Sequence, residues 1–125
     1  MSFARIRITW PGGEVIANLE ETPTARSLVA ALPIHSSART WGEEVYFEAQ
    51  APIKLEREAR QIVEPGTVCY WVEGGSLALP WGRTPISEGD ESRLVARCNV
   101  LGRIDGDPRE LASVNSGDAV TVTLE

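Results

Sequence analysis

Apolar and polar positions alternate along most of this chain. In ARIRITW, Ala4, Ile6, Ile8 and Trp10 fall on one side, and Arg5, Arg7 and Thr9 on the other. A period of two marks a half-buried β-strand. Pro11-Gly12-Gly13 supplies a turn, and EVIANLE resumes the alternation with Val15, Ala17 and Leu19 together, so the first 20 residues predict a β-hairpin. The period then changes. Thr22 is a suitable N-cap, Pro23 suits the first helical position, and Leu28, Val29 and Leu32 form one stripe of a helix that Pro33 ends. Beyond Ile34 short β-type runs return: SSART, EVYFE, VCYWVE, SLALPW and LVARCNVLGRI, separated by Gly, Pro and acidic turns. The charge-rich stretch Ile53 to Glu64 reads as a loop or irregular cover. A second short helix is predicted over Pro108 to Val114 with Asp107 as its cap, and AVTVTLE closes the chain as a strand. Many short strands with two short helices predict a mostly-β domain, either a barrel or a sandwich.

Length and charge narrow the function. A chain of 125 residues predicts a single domain over 1–125. A net charge of −6, with Lys54 the only lysine, argues against a phosphate-backbone binder or an anionic membrane surface, so neither nucleic acid nor membrane is expected as a partner. No run approaches the roughly 20 apolar residues of a spanning helix, and MSFARIRITW lacks the apolar core of a signal peptide. The expected location is cytoplasmic. There, Cys69 and Cys98, each inside an apolar run, read more simply as small buried thiols than as a disulfide. With one histidine and no paired-cysteine motif, neither a metal nor a cofactor is expected. Asp105-Gly106-Asp107 lacks calcium-loop spacing and reads as a turn plus helix cap. His35 has no nucleophile in a recognisable setting beside it.

Several spaced stretches resemble a known family. NVLGRIDGDPRELASVNSGDAVTVTLE resembles the end of a cyclophilin, and the N-terminal hairpin followed by TPTARSLVAALP resembles its start. TWGEEVYF, PGTVCYW and WGRTPIS resemble the small prokaryotic cyclophilin-like family, whose members are largely uncharacterised. The resemblance spans essentially the whole chain. It implies a closed eight-stranded antiparallel β-barrel with two short capping helices. Cyclophilins catalyse rotation about X–Pro bonds, against a barrier of about 20 kcal/mol, with an arginine in an F-H-R-I-I-P type run. The corresponding run here is RTWGEEVYF. Arg39 is nearby but outside such a motif, and the glutamine-bearing pocket motif is absent. Peptidyl-prolyl isomerisation through a non-standard site is therefore the alternative to a binding role.

Three constellations remain as candidates. Glu43 and Glu44 are adjacent on a strand, face opposite ways, and cannot share a proton in one site. Val45 and Phe47 take the inward face, which leaves Glu44 and Tyr46 either on a solvated surface or in a ligand groove. Among the aromatics Trp41, Tyr70, Trp71 and Trp81, alternation puts Tyr70 with Val68 and Val72 and turns Trp71 to the other face, near a pocket or in the core. In WGRTPIS, Arg83, Thr84 and Ser87 offer donors that suit a carboxylate or phosphate as well as an ordinary turn. The ligand-binding set is thus Trp41, Glu44, Tyr46, Trp71, Trp81, Arg83, Thr84 and Ser87, with a small molecule or peptide as the expected occupant and no catalytic residue assigned.

Overall fold

The computed structural model describes residues 2–125. Among these residues ten strands and two helices form: β1 (Ala4–Trp10), β2 (Gly13–Leu19), α1 (Pro23–Ala30), β3 (Ile34–Ser37), β4 (Arg39–Thr40), β5 (Glu44–Glu48), β6 (Arg60–Val63), β7 (Thr67–Trp71), β8 (Ser76–Pro80), β9 (Ser92–Asp105), a 3₁₀ helix (Pro108–Ser113) and β10 (Ala119–Leu124). The hairpin β1–β2 pairs as its alternation predicts, Ile6 opposite Ala17 and Ile8 opposite Val15. Helix α1 starts where the cap chemistry places it, with the Thr22 side chain accepting the Ala25 N–H at 3.0 Å. It stops at Ala30, two residues before the predicted end, because Pro33 disfavours helical backbone at the residue before it. The Asp107 carboxylate caps the second helix by accepting the Arg109 N–H at 2.9 Å.

The strands are antiparallel and run in the order β3-β10-β1-β2-β9-β7-β8-β5-β4, with β6 attached to β9 off this path. That order has two ends, so the closed eight-stranded barrel expected from the sequence does not form. The reason lies in residues 34–40. Their first part, β3, pairs with β10, and their second part, β4, pairs with β5. At Ala38 between them the backbone bonds instead to the turn before β10, donating to the Asp118 carbonyl and accepting from the Gly117 N–H, each at 2.8 Å. The two ends of the sheet are therefore joined by covalent chain rather than by a ladder.

The inward faces fill one main core. Ile6, Ile8, Val15, Ala17, Leu19, Val45, Phe47, Val68, Tyr70, Leu77, Leu79, Leu101, Val120 and Val122 are all buried there, with Ala25 and Leu28 from α1 and Leu111 from the 3₁₀ helix. Tyr70 donates its hydroxyl to the Ala49 carbonyl at 2.9 Å, which satisfies its polar end inside the core.

A second, smaller core lies on the outer face of the sheet and positions the site. The strand β9 is 14 residues long. Its later residues lie between β2 and β7, whereas its earlier residues pair with β6, Ser92 opposite Val63 and Cys98 opposite Arg60. A shift in register between Val68 and Cys69 of β7 marks the change of direction. The early part of β9 with β6 thus makes a two-stranded flap over the outer faces of β5, β7 and β8. Beneath it Val63, Leu94 and Cys98 of the flap pack on Cys69 and Ala78 of the sheet, with Tyr46, Trp71 and Val100 at the margin. The segment Ile53 to Glu64, expected to be irregular throughout, contributes β6 to this cover. Cys69 and Cys98 are both free thiols within it.

Candidate functional site

The stretch TWGEEVYF builds one wall of a cleft. Gly42 takes a φ of +60°, in the left-handed region that glycine tolerates best, and the turn it makes joins β4 to β5. The Trp41 N–H donates to the Glu44 carbonyl at 3.0 Å across this turn, so Trp41 and Glu44 end side by side. Alternation then separates the two glutamates. Glu43 leaves the sheet and holds the neighbouring loop, its carboxylate accepting the Arg83 N–H at 2.9 Å. Glu44 turns to the outer face with Tyr46 and comes to lie under the margin of the flap.

Trp41, Glu44, Tyr46, Trp71 and Val95 line a half-open cleft of about 120 Å³. Tyr46 and Trp71 meet edge to face, with ring centroids 6.3 Å apart and planes at 81°. Two walls of the cleft are therefore aromatic rings nearly at right angles. Glu44 is only 5% exposed. Burial pushes its carboxyl up to about 7, because removing a carboxylate from water disfavours the charged form. Its neighbours do not offset that cost. Burial and the adjacent Glu44 carboxyl raise the Cys98 thiol to about 12, and the Cys69 thiol is held well above its ordinary value mainly by burial. Both thiols stay neutral at physiological pH.

Two buried side-chain polar atoms among the described residues have no hydrogen-bond partner, Glu44 Oε1 and Trp71 Nε1. Both belong to residues of this cleft. A buried polar atom left unpaired costs about 1–3 kcal/mol, and native interiors rarely carry one without a reason. Here an acceptor and a donor remain unpaired on two residues that line the same cleft.

The other four candidates lie outside the cleft lining. Trp81 packs against the main core. Arg83 donates to the Ser87 carbonyl at 3.2 Å, the Thr84 N–H donates to Ser87 Oγ at 2.9 Å, and Ser87 Oγ donates to the Glu91 carbonyl at 2.7 Å. Their polar groups are engaged in bonds within the 83–91 loop. Val95 was not legible as a site residue. It sits in the apolar run LVARCNV, and only the flap, formed by pairing distant in sequence, brings it over Trp71. Its 51% exposure, high for a valine in the middle of a strand, is its one structural signature. His35 lies on β3 opposite Thr121, away from the cleft.

A family model described as cyclophilin-like matches residues 4–123. No curated protein matches the chain. Among solved structures, the solution structure of the hypothetical protein AF2241 from Archaeoglobus fulgidus is similar at 35% identity and a TM-score of 0.82, covering 98% of this chain and 95% of that one.

Proposed function

Since the chain belongs to the cyclophilin-like family, we propose that it uses that scaffold as a binding domain, with a small molecule or a single side chain of a peptide held in the Glu44 cleft. One observation carries this reading. The two unpartnered buried polar atoms, Glu44 Oε1 and Trp71 Nε1, belong to residues that line the same aromatic-walled cleft. A ligand bringing a group for each would relieve both penalties on binding, while the rings supply apolar contact. The volume limits the occupant. A dry cavity of about 150 Å³ takes one benzene ring, so this cleft holds a group of that order and not a folded surface.

The test is a fragment screen of amines, amides, amino acids and short peptides read by the indole N–H signals of the four tryptophans. Ligands of this site shift Trp41 and Trp71 and raise the melting temperature. If hits leave those two signals unmoved, or if none appears at millimolar concentrations, the cleft is not a binding site.

Prolyl isomerisation is a second reading, favoured by one feature of register. Arg39 stands directly opposite Tyr46 across β4 and β5, so it projects from the same face as the cleft. A protease-coupled assay on an X–Pro peptide tests it. A rate above background that is lost in Arg39→Ala supports isomerisation, and background rates for both proteins exclude it.

A further inference from the structure

We propose that the occupant of the Glu44 cleft is an organic cation, an alkylammonium or quaternary ammonium group, held in a cage of Trp41, Tyr46 and Trp71 with the Glu44 carboxyl at its base. The inference rests on the binding reading above and goes further by fixing the charge of the ligand.

Aromatic faces carry a negative quadrupole and attract cations placed over them, and rings set at angles to one another enclose a roughly spherical cation from several sides. Tyr46 and Trp71, set at 81° to each other, and Trp41 are the three rings that line the cleft. The group at the base is a carboxyl that is 5% exposed with one oxygen unpartnered, and its preferred partner is a positive charge. An anionic ligand would meet both the ring faces and Glu44 unfavourably. A purely apolar ligand would leave Glu44 Oε1 and the Trp71 N–H unsatisfied. A cation with an acceptor atom a few bonds away, as in an alkanolammonium or a betaine, matches the carboxyl, the rings and the indole N–H together. The net charge of −6 favours the approach of such a ligand over that of an anion.

The charged and titratable groups around Glu44 bear on the pH dependence. On β7 and β9 these are the Cys69 and Cys98 thiols, both neutral. On β5 it is the Tyr46 phenol. Arg39 on β4 is exposed, so its charge is screened by solvent, and it does not line the cleft. Arg60 of β6, the ladder partner of Cys98, is exposed and does not line the cleft. The thiols remain neutral and the two arginines are exposed, so the profile of cation binding follows the buried Glu44 carboxyl.

Two sources supply the same chemistry, a free metabolite or a lysine side chain of a peptide carrying methyl groups. The experiment separates them and also separates charge from shape. Choline, its uncharged isostere 3,3-dimethylbutan-1-ol, and an N-acetyl-trimethyllysine amide with its acetyllysine counterpart are titrated into the full chain, with tryptophan fluorescence and the Trp41 and Trp71 indole signals as readouts. Choline or the trimethyllysine amide is expected to bind at least about tenfold more tightly than its uncharged counterpart. That preference is expected to disappear in Glu44→Gln and the cation affinity to fall about tenfold in Trp41→Ala, a change at the half-exposed rim that spares both cores. Cation affinity should rise from pH 5.5 to 8. A preference for choline points to a free metabolite, and a preference for the amide points to a modified peptide. If the uncharged compounds bind as well as the charged ones, or if Glu44→Gln leaves the preference intact, the cation inference falls while the binding reading stands. If neither cation binds, the inference also falls, and the fragment screen alone decides the binding reading.

Discussion

Glu44 lowers the stability of the fold it belongs to, and the sign of the effect can be worked out. The unfolded carboxyl ionises near its ordinary 4.5, whereas the folded one resists until about 7. Below pH 4.5 the group is protonated in both states and costs nothing. Between 4.5 and about 7 the unfolded chain gives up its proton while the folded chain keeps it, so stability falls, and above 7 the loss is complete. The shift corresponds to about 3 kcal/mol. We expect Glu44→Gln, uncharged at every pH, to be more stable than the parent by about 2 kcal/mol at pH 8 and no more stable at pH 4, measured by urea unfolding. A difference that does not vary with pH would mean that the carboxyl is solvated and not buried. A side chain kept at such a cost fits a role in binding. The neighbouring residue shows how far sequence reasoning reached. Period-two alternation in EEVYF separated Glu43 from Glu44 and put Glu44 with Tyr46, and the geometry agrees. Alternation tells only which face a residue takes, and it left open whether water or protein covers that face.

The missing information was in the pairing of elements. Helix α1, the β1–β2 hairpin and the 3₁₀ helix were legible because their signals are local: caps, prolines, glycines and strict alternation. The β6 strand was not. Its sequence RQIV is short and polar at one end, and it forms because β9 extends past β7 to meet it. The flap that buries Glu44 follows from that extension. The link between α1, the 54–56 loop and β9 is similarly non-local and rests on Asn99, which is fully buried. Its amide donates to Thr24 Oγ1 and to the Lys54 carbonyl and accepts from the Glu56 N–H, each at 2.8 Å. Replacing Asn99 by Ala removes all three bonds and leaves a gap at a fully buried position. The expected loss is about 3 kcal/mol in chemical denaturation, with faster amide exchange in residues 54–56 than in β1 or β10. A loss below about 1 kcal/mol would show that this network is dispensable.

At the scale of the molecule the main departure from expectation is topological. The resemblance to cyclophilins implied a closed barrel, and the chain makes a ten-stranded sheet whose ends meet at Ala38. Strand count is hard to read from sequence because β3 and β4 are a single apolar-polar run, IHSSART, until their partners divide it. Close packing elsewhere holds this arrangement. Gly102 of β9 lies against the backbone of Asn18 in β2 so tightly that a Cβ there would collide with the Asn18 carbonyl oxygen, a backbone atom with no room to move aside. Gly102→Ala is expected to cost roughly 3 kcal/mol or more and to lower the melting temperature by over 10 °C. A melting temperature within a few degrees of the parent would show that β2 and β9 can separate freely at this point. The seam at Ala38 bears on how copies of the molecule tolerate crowding. An open sheet ordinarily offers long unpaired strands on which a foreign chain can add itself and start a fibre. Here the strands at the two ends of the sheet are four residues in β3 and two in β4, and β6 on the flap is four. They carry His35, Ser36, Ser37, Arg39, Thr40, Arg60 and Gln61; Ile34, the large apolar residue of β3, is buried, and Ile62 of β6 is exposed. Stubs of two to four residues are too short to template strand addition, so the two ends of the sheet resist fibre growth much as a closed barrel does.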